Sequence, residues 1–299
     1  MTARVVTSST KKSKTVKKAK PAAVKTSKPA KVKAPAAIKP AKPAKKARKF
    51  SLAAWNLQLG IVLVALAAGV VIFGGAQSAP LTTQYLAKDT LGSEVAGRDV
   101  LATATHHLAD VRISWLVAAF LVVFAASFLL VATVWRKRYE NWLTRGFNKM
   151  RWIGFGASTG LMGVTIAALS GITDLGYLLL IFGALVILGA LSTITELIGI
   201  GRRLRKFTII TALFTAALPV VVIALTLAGA LMYKGSLPVY LYYVYGSMFL
   251  FAGAVAVGCV LRLRQVGKWA DSTFAEKMFM GWGFAAAVAL ALQVFAGAL

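Results

Sequence analysis

Residues 277–299 read KMFMGWGFAAAVALALQVFAGAL, and after Lys277 no side chain in this stretch is ionisable. At about 1.5 Å of rise per residue, a helix of this length crosses the hydrocarbon core of a bilayer. Its middle part, from Phe284 to Leu292, is almost entirely alanine, valine and leucine. The sequence therefore predicts a terminal membrane helix without an amine, a carboxylate or an imidazole in its apolar part.

The composition places the whole chain among membrane proteins. Of its 299 residues 58% are hydrophobic and 15% are charged, and the mean hydropathy is +0.72, outside the range of soluble domains. The net charge of +26 is uneven, because residues 1–50 hold 17 of the 35 Lys and Arg and none of the acids. These fifty residues, rich in Lys, Ala and Pro, predict a disordered cytoplasmic tail. Its chemistry favours anionic lipids or nucleic acid as partners.

Seven apolar segments of spanning length follow the tail, at residues 52–76, 113–135, 151–171, 176–198, 208–232, 238–261 and 279–298. An odd number of spans puts the two termini on opposite sides of the membrane. The connections 136–151, 199–207 and 262–278 carry fourteen basic residues, whereas the alternate connections carry four. Because basic loops stay in the cytoplasm, we expect residues 51–299 to form an all-α, multi-pass bundle in the plasma membrane, with the N-terminus cytoplasmic and the C-terminus extracellular.

The longest connection, residues 77–112, is predicted to be extracellular and to form a polar loop or the start of the second helix. Its histidines, His106 and His107, are adjacent, so on a helix or a strand they point apart and are poorly placed to share a metal. The single cysteine, Cys259, lies in an apolar run and is typical of a small buried hydrophobe. No metal site, catalytic residue or enzymatic activity is predicted.

Polar groups are rare in the predicted spans. Glu196 is the one carboxylate among them, and we expect it to be an interfacial group paired with Arg202 or Arg203. Every lysine is assigned to the tail or to a connection. Because no Asp, Glu, Lys, His or Arg lies at the centre of a predicted span, a proton pump or an ion-coupled carrier has no visible relay. Gly156 and Gly160 predict close helix packing in the third span, and Pro219 predicts a bend in the fifth.

Two stretches carry a family resemblance. They read YENWLTRGFNKMRWIGFGASTGLM at residues 139–162 and VGKWADSTFAEKMFMGWGFAAAVALALQVFAGAL at residues 266–299. They are similar to the third-helix and seventh-helix signatures of the heliorhodopsins, a retinal-binding branch of the microbial-type rhodopsins. Supporting matches are Trp55-Asn56 with Gly60, residues 169–172, Glu196 and Pro219. The resemblance covers residues 50–299 and implies a rhodopsin-like bundle, a cytoplasmic N-terminus, a long outer loop after the first helix and a homodimer.

The departures from the family pattern concern the retinal site. The family's third-helix motif continues with glutamate, tyrosine and serine, where this chain has Gly154, Phe155 and Gly156. The resemblance implies that Gly154 replaces the counterion of the protonated retinal Schiff base and that Ala287 replaces the lysine that forms it. A Schiff base needs an amine. The resemblance places the remnant of the pocket at Phe155, Ser158, Met162, Pro219 and Gly283, and Gly154→Glu with Ala287→Lys is expected to restore a pigment if the rest of the pocket is intact.

These departures favour a heliorhodopsin-like protein that does not bind retinal covalently and acts as a non-pumping regulatory or scaffold protein with an unknown protein partner. One alternative is a receptor that binds an apolar ligand or a retinoid non-covalently in the space left by the lost side chains. Another is the family's own role as a light-sensing photoreceptor. No covalent cofactor is expected, and retinal is expected only as a non-covalent ligand.

Overall fold

The computed structural model describes residues 51–145, 148–197, 202–234 and 236–298, and of these residues 202–205, 234 and 298 by their backbone alone. The predicted tail, residues 1–50, lies outside this part of the chain. The elements follow in the order α1 Leu52–Phe73, β1 Ser78–Lys88, α2 Thr90–Ala96, β2 Leu101–Arg112, α3 Ile113–Ala132, α4 Arg136–Thr144, α5 Lys149–Leu169, α6 Leu175–Leu197, α7 Arg202–Lys234, α8 Val239–Leu263, a 3-10 turn Gly267–Ala270 and α9 Ser272–Ala298.

Seven of the described helices are long and apolar enough to cross a membrane, which confirms the predicted seven-helix membrane bundle. They are α1, α3, α5, α6, α7, α8 and α9. The interior lies mainly between α1, α3, α5 and α9, where Leu63, Val117, Leu121 and Leu290 are almost completely buried. Because lipid is as apolar as these side chains, the bundle is held by dense packing more than by escape from water.

Most helix ends differ from the predicted segments by one to seven residues, and the ends of the first and last helices have identifiable consequences. The first helix ends at Phe73 rather than at residue 76, because Gly74 leaves the helical conformation with φ −66° and ψ 139°. The last helix begins at Ser272 rather than at residue 279, so Glu276 and Lys277 belong to a spanning helix. The prediction that all lysines lie in the tail or in connections is therefore wrong, although Lys277 lies ten residues before Ala287, about 15 Å along the helix.

Glycines bring α5 and α6 together as the Gly156-x-x-x-Gly160 pattern predicts. A Cβ atom on Gly156 would lie 3.2 Å from the Cα atom of Gly189, and one on Gly189 would lie 2.6 Å from the carbonyl oxygen of Trp152. On Gly160 a Cβ atom would lie 2.8 Å from the ring of Phe182. The two backbones therefore approach so closely that Gly189 has no room for a side chain, and a methyl group on Gly156 would be tightly packed.

The connection between the first two spans is a β-hairpin rather than a polar loop or the start of a helix. β1 pairs with β2 in antiparallel register from Ser78↔Arg112 to Lys88↔Leu101, with a bulge after Leu81. At its base the backbone N–H of Thr82 donates to the carbonyl of Thr173 at 2.9 Å, and the two threonine hydroxyls lie 3.1 Å apart. The base of the hairpin is thereby docked on the turn between α5 and α6, whereas Leu86 and Leu101 near its tip are exposed.

Candidate functional site

A buried charge cluster, formed by Asn148, Arg151, Glu196 and Glu276, lies where three spanning helices meet at one end of the bundle. Arg151 stands in the first turn of α5 and is 8% exposed. Its Nη1 donates to Glu276 on α9, and its Nη2 donates to Glu196 at the end of α6. One guanidinium therefore serves two carboxylates, so the cluster carries a formal charge of −1.

Asn148 connects the same partners from the end of α5. Its side-chain oxygen caps the helix by accepting from the backbone N–H groups of Met150 and Arg151 at 3.1 and 3.3 Å. Its Nδ2 donates to Glu276 at 2.7 Å, and its backbone N–H donates to Glu196 at 3.2 Å. The Glu196 carboxylate also accepts from the indole N–H of Trp152 at 3.0 Å. These bonds satisfy most of the polar atoms that burial would otherwise leave unpaired.

Aromatic rings enclose the guanidinium of Arg151. Its Cζ atom lies 4.8 Å from the ring centre of Trp152 and 4.7 Å from that of Phe279, both within the range of cation–π attraction. Tyr139 on α4 is 2% exposed. Burial raises the pKa of the Tyr139 phenol well above its ordinary value, and the Glu276 carboxylate adds to this effect. Tyr139 therefore stays protonated at physiological pH.

A small cavity of about 20 Å³ adjoins the charge cluster. Its wall includes the polar residues Asn56, Ser127, Asn148, Arg151 and Glu276, together with the ring of Phe155. Such a volume holds about one water molecule. A drug-sized ligand needs several hundred Å³.

The residues present do not fit a retinal Schiff base at the position that the resemblance assigns to it. Ala287 offers no amine, is 2% exposed and belongs to the apolar core together with Met280, Leu290 and Ala291. Glu276 precedes Ala287 by eleven residues, about 16 Å along α9, and Glu196 binds the same arginine as Glu276. Neither carboxylate is therefore placed as a counterion for an amine at residue 287.

Close packing also fills the space around Gly154 and Gly283. A Cβ atom on Gly154 would lie 2.5 Å from the Cβ atom of Ser127, and one on Gly283 would lie 2.6 Å from the ring of Phe155. Phe155 in turn packs edge-on against Phe124, with ring centres 5.3 Å apart. The glycines at these positions have allowed neighbouring side chains to move in rather than leaving a void.

The other residues assigned to the remnant pocket have structural roles in the bundle. Ser158 is buried, and its hydroxyl donates to the carbonyl of Gly154 at 2.7 Å within the same helix. Met162 packs against the same apolar core as Ala287 and Phe155, whereas Pro219 lies buried within α7. The structure therefore brings Phe155 and Gly283 into contact and places Met162 and Ala287 at the same large apolar core, whereas Ser158 bonds to its own helix.

The partners that form the charge cluster differ from those predicted from the sequence. Glu196 is predicted to pair with Arg202 or Arg203, whose side chains lie outside the described part of the chain, whereas the structure pairs it with Arg151. Glu276 was assigned to a connection because the apolar stretch begins only after Lys277. One available signal was Asp271, whose carboxylate accepts from the backbone N–H of Thr273 at 2.9 Å and marks the start of α9.

The described residues contain no group of three or more His, Cys, Asp and Glu side chains that could hold a metal ion. In the hairpin, His107 contacts Asp110 at 3.1 Å, and both side chains are exposed. The prediction that His106 and His107 lie in a polar loop or at the start of the second helix is wrong, because both residues belong to strand β2.

Comparison with known proteins identifies the family. A comparison with curated protein sequences gives no match. The sequence model of the family described as Heliorhodopsin matches residues 52–299, which is the whole of the seven-helix bundle. The chain is therefore a multi-pass, rhodopsin-like membrane protein that belongs to the heliorhodopsin family.

Proposed function

We propose that this heliorhodopsin-family protein forms no Schiff base with retinal and acts as a non-pumping regulatory or scaffold protein in the plasma membrane. The observation that carries the proposal is the environment of Ala287, a methyl group within a packed apolar core and about 16 Å along the helix from Glu276. Retinal chemistry in the family rests on an amine and a counterion. Here both positions, Ala287 and Gly154, bear no functional group.

The loss of both groups is coherent in energetic terms. A carboxylate left at residue 154 without a cation would cost several kcal/mol in a buried, apolar setting. Glycine at this position removes that cost, and the buried Glu276 and the half-buried Glu196 share Arg151. Loss of both the lysine and the glutamate therefore leaves less uncompensated buried charge in the bundle than loss of the lysine alone would leave.

The remaining parts of the proposal concern orientation and partners. Because basic connections stay in the cytoplasm, the N-terminus lies in the cytoplasm and the C-terminus lies outside. The family resemblance favours a homodimer, and the basic tail favours anionic lipids or nucleic acid. A protein partner receives the regulatory signal, and no enzymatic activity is assigned to the chain.

The test is a retinal reconstitution. The protein is purified from cells supplied with all-trans retinal, and a retinal-binding heliorhodopsin is prepared in parallel as the positive control. We expect no visible absorption band from this chain. A band that hydroxylamine bleaches would contradict the proposal and support the family's photoreceptor role.

A second measurement separates the light-independent role from the photoreceptor role. Cells that lack the protein are compared with wild-type cells in darkness and in light. A scaffold or regulatory protein without a chromophore is expected to give the same deletion phenotype under both conditions. A phenotype that appears only in light would contradict the proposal.

The alternative of a receptor for a non-covalent apolar ligand requires more space than the cavity of about 20 Å³ beside Phe155 provides. Native mass spectrometry tests it directly. A lipid, carotenoid or retinoid retained in a fixed ratio to the protein would favour the receptor, and its absence would favour the scaffold.

The double variant Gly154→Glu with Ala287→Lys is expected to remain without a pigment. A side chain on residue 154 meets Ser127 at 2.5 Å, and Phe155 already fills the space against Gly283. A visible band from this variant would show that the core rearranges around retinal, and would overturn the packed-site argument while leaving the wild-type result unchanged.

A further inference from the structure

The short helix α4 lies at the membrane surface by its place in the chain. It occupies residues Arg136–Thr144 between α3 and α5, both of which are long and apolar enough to span the membrane. Tyr139 anchors it to the bundle, because this side chain is 2% exposed, and Trp142 and Leu143 on the same side are half-buried. The rest of the helix therefore faces away from the bundle, near the headgroup region.

The outward side of α4 is strongly basic. Lys137, Arg138 and Arg145 are exposed, and none of them forms an ion pair with an acid in the described part of the chain. The one acid of the helix, Glu140, is already paired with Arg136 at 3.2 Å. We refer to Lys137, Arg138 and Arg145 as the basic surface of α4.

Apolar side chains stand directly beside this basic surface. Val134 at the corner between α3 and α4 is 72% exposed, and the neighbouring Trp135 is half-buried. An exposed apolar group is costly in water but is stabilised among acyl chains, and tryptophan is enriched at the membrane interface. Basic and apolar groups side by side match the two chemical parts of an anionic phospholipid.

We propose that the basic surface of α4 binds the headgroups of anionic phospholipids, with Val134 and Trp135 in contact with the adjoining acyl chains. Charge complementarity carries this assignment, because three exposed cations without acidic partners lie on one short helix and its C-cap at the bilayer surface. The site is separate from the tail of residues 1–50 and does not depend on whether the protein binds retinal.

The test measures hydrogen exchange of the full-length protein in nanodiscs, because this readout reports α4 separately from the basic tail. One set of discs contains phosphatidylcholine alone, and the other contains phosphatidylcholine with phosphatidylglycerol. Exchange in the peptide covering residues 134–145 is expected to slow when phosphatidylglycerol is present, and 0.5 M salt is expected to reduce the effect. Exchange in α5 and α9 serves as the reference for an intact fold.

In the variant Lys137→Gln with Arg138→Gln, the slowing of exchange that phosphatidylglycerol causes in residues 134–145 is expected to fall at least about fivefold. Each basic residue near an anionic surface contributes roughly that factor to binding. The control variant, Lys88→Gln with Arg98→Gln, removes the same charge from the hairpin and should keep the slowing. The proposal would be overturned if exchange in α4 still slowed in Lys137→Gln with Arg138→Gln. It would also be overturned if the control variant lost the slowing to the same extent. Slowing by inorganic phosphate in phosphatidylcholine discs would instead identify a free-anion site and also overturn it.

Discussion

Arg151 is the residue on which the charge cluster depends. Among the described residues it is the one cation that is ion-paired with both Glu196 and Glu276, and it is 8% exposed. Removal of a buried partner leaves the opposite charge without compensation, which costs far more than the intact pair contributes. The cluster is therefore a point of high sensitivity rather than a large source of stability.

Arg151→Gln is expected to destabilise the bundle by about 3–5 kcal/mol, because the buried Glu276 and the half-buried Glu196 would both lose their cation. The measurement is thermal or denaturant unfolding of the purified protein in detergent. Arg136→Gln is the matched control, since its pair with Glu140 is exposed and should contribute no more than about 1 kcal/mol. Equal effects of the two substitutions would show that the buried cluster is solvated.

Gly283→Ala is expected to destabilise the protein by about 1–3 kcal/mol through overpacking, because the new methyl group would lie 2.6 Å from the ring of Phe155 and 2.8 Å from that of Phe124. Gly281→Ala in the same helix has no atom within 4 Å of its new methyl group and should be neutral or slightly stabilising. Both are measured by unfolding in detergent. A cost shared by both variants would point to helix α9 as a whole rather than to the contact with Phe155.

At the residue level, the sequence identified positions better than partners. Gly154 and Ala287 could be singled out because a family motif fixes their places, and Gly156 because its spacing to Gly160 is typical of close helices. The pair of Arg151 and Glu196 was not visible, because these residues are separated by 45 positions and nearby arginines offered a simpler partner. Contacts between distant helices follow from packing, which hydropathy does not encode.

Among the secondary-structure elements, the spanning helices could be predicted from the sequence, whereas the hairpin could not. The seven spans were predicted because each contains an apolar run near 20 residues, a signal that only a membrane helix satisfies. The hairpin was missed because strands β1 and β2 are rich in Thr and Ala, with little alternation of strongly apolar and polar residues, and because helix α2 replaces a short turn between them.

Leu81→Ala is expected to loosen the base of the hairpin. Leu81 packs against the core formed by Ala167, Ile172, Leu178 and Ile181, whereas Leu86 on the same strand is 68% exposed. Hydrogen exchange should therefore accelerate in residues 78–83 in the Leu81→Ala variant and remain unchanged in Leu86→Ala, because only the first substitution removes buried contacts. Equal acceleration in both would show that pairing between the strands, rather than docking on α5 and α6, holds the hairpin in place.

At the scale of the whole molecule, the distribution of charge divides the bundle into two ends. The end that contains α4 and the charge cluster also carries the basic residues Arg262, Arg264 and Lys268, which follow α8. The other end carries the hairpin with Lys88, Arg98 and Arg112. Arg151 on α5 binds Glu196 on α6 and Glu276 on α9, so these three helices meet at the same end of the bundle. The charge asymmetry is therefore a property of the folded bundle as well as of the connections in the sequence.

This asymmetry predicts the orientation of the protein in the cell membrane. In a Cys259→Ala background, which removes the single cysteine, Thr105→Cys places a thiol on the exposed hairpin and Val266→Cys places one beside the basic connection after α8. A membrane-impermeant maleimide added to intact cells is expected to label Thr105→Cys and not Val266→Cys, because basic connections remain cytoplasmic. Permeabilised cells provide the control, in which both variants should be labelled. Labelling of Val266→Cys alone in intact cells would invert the assignment and would place α4 and the charge cluster on the outer side of the membrane.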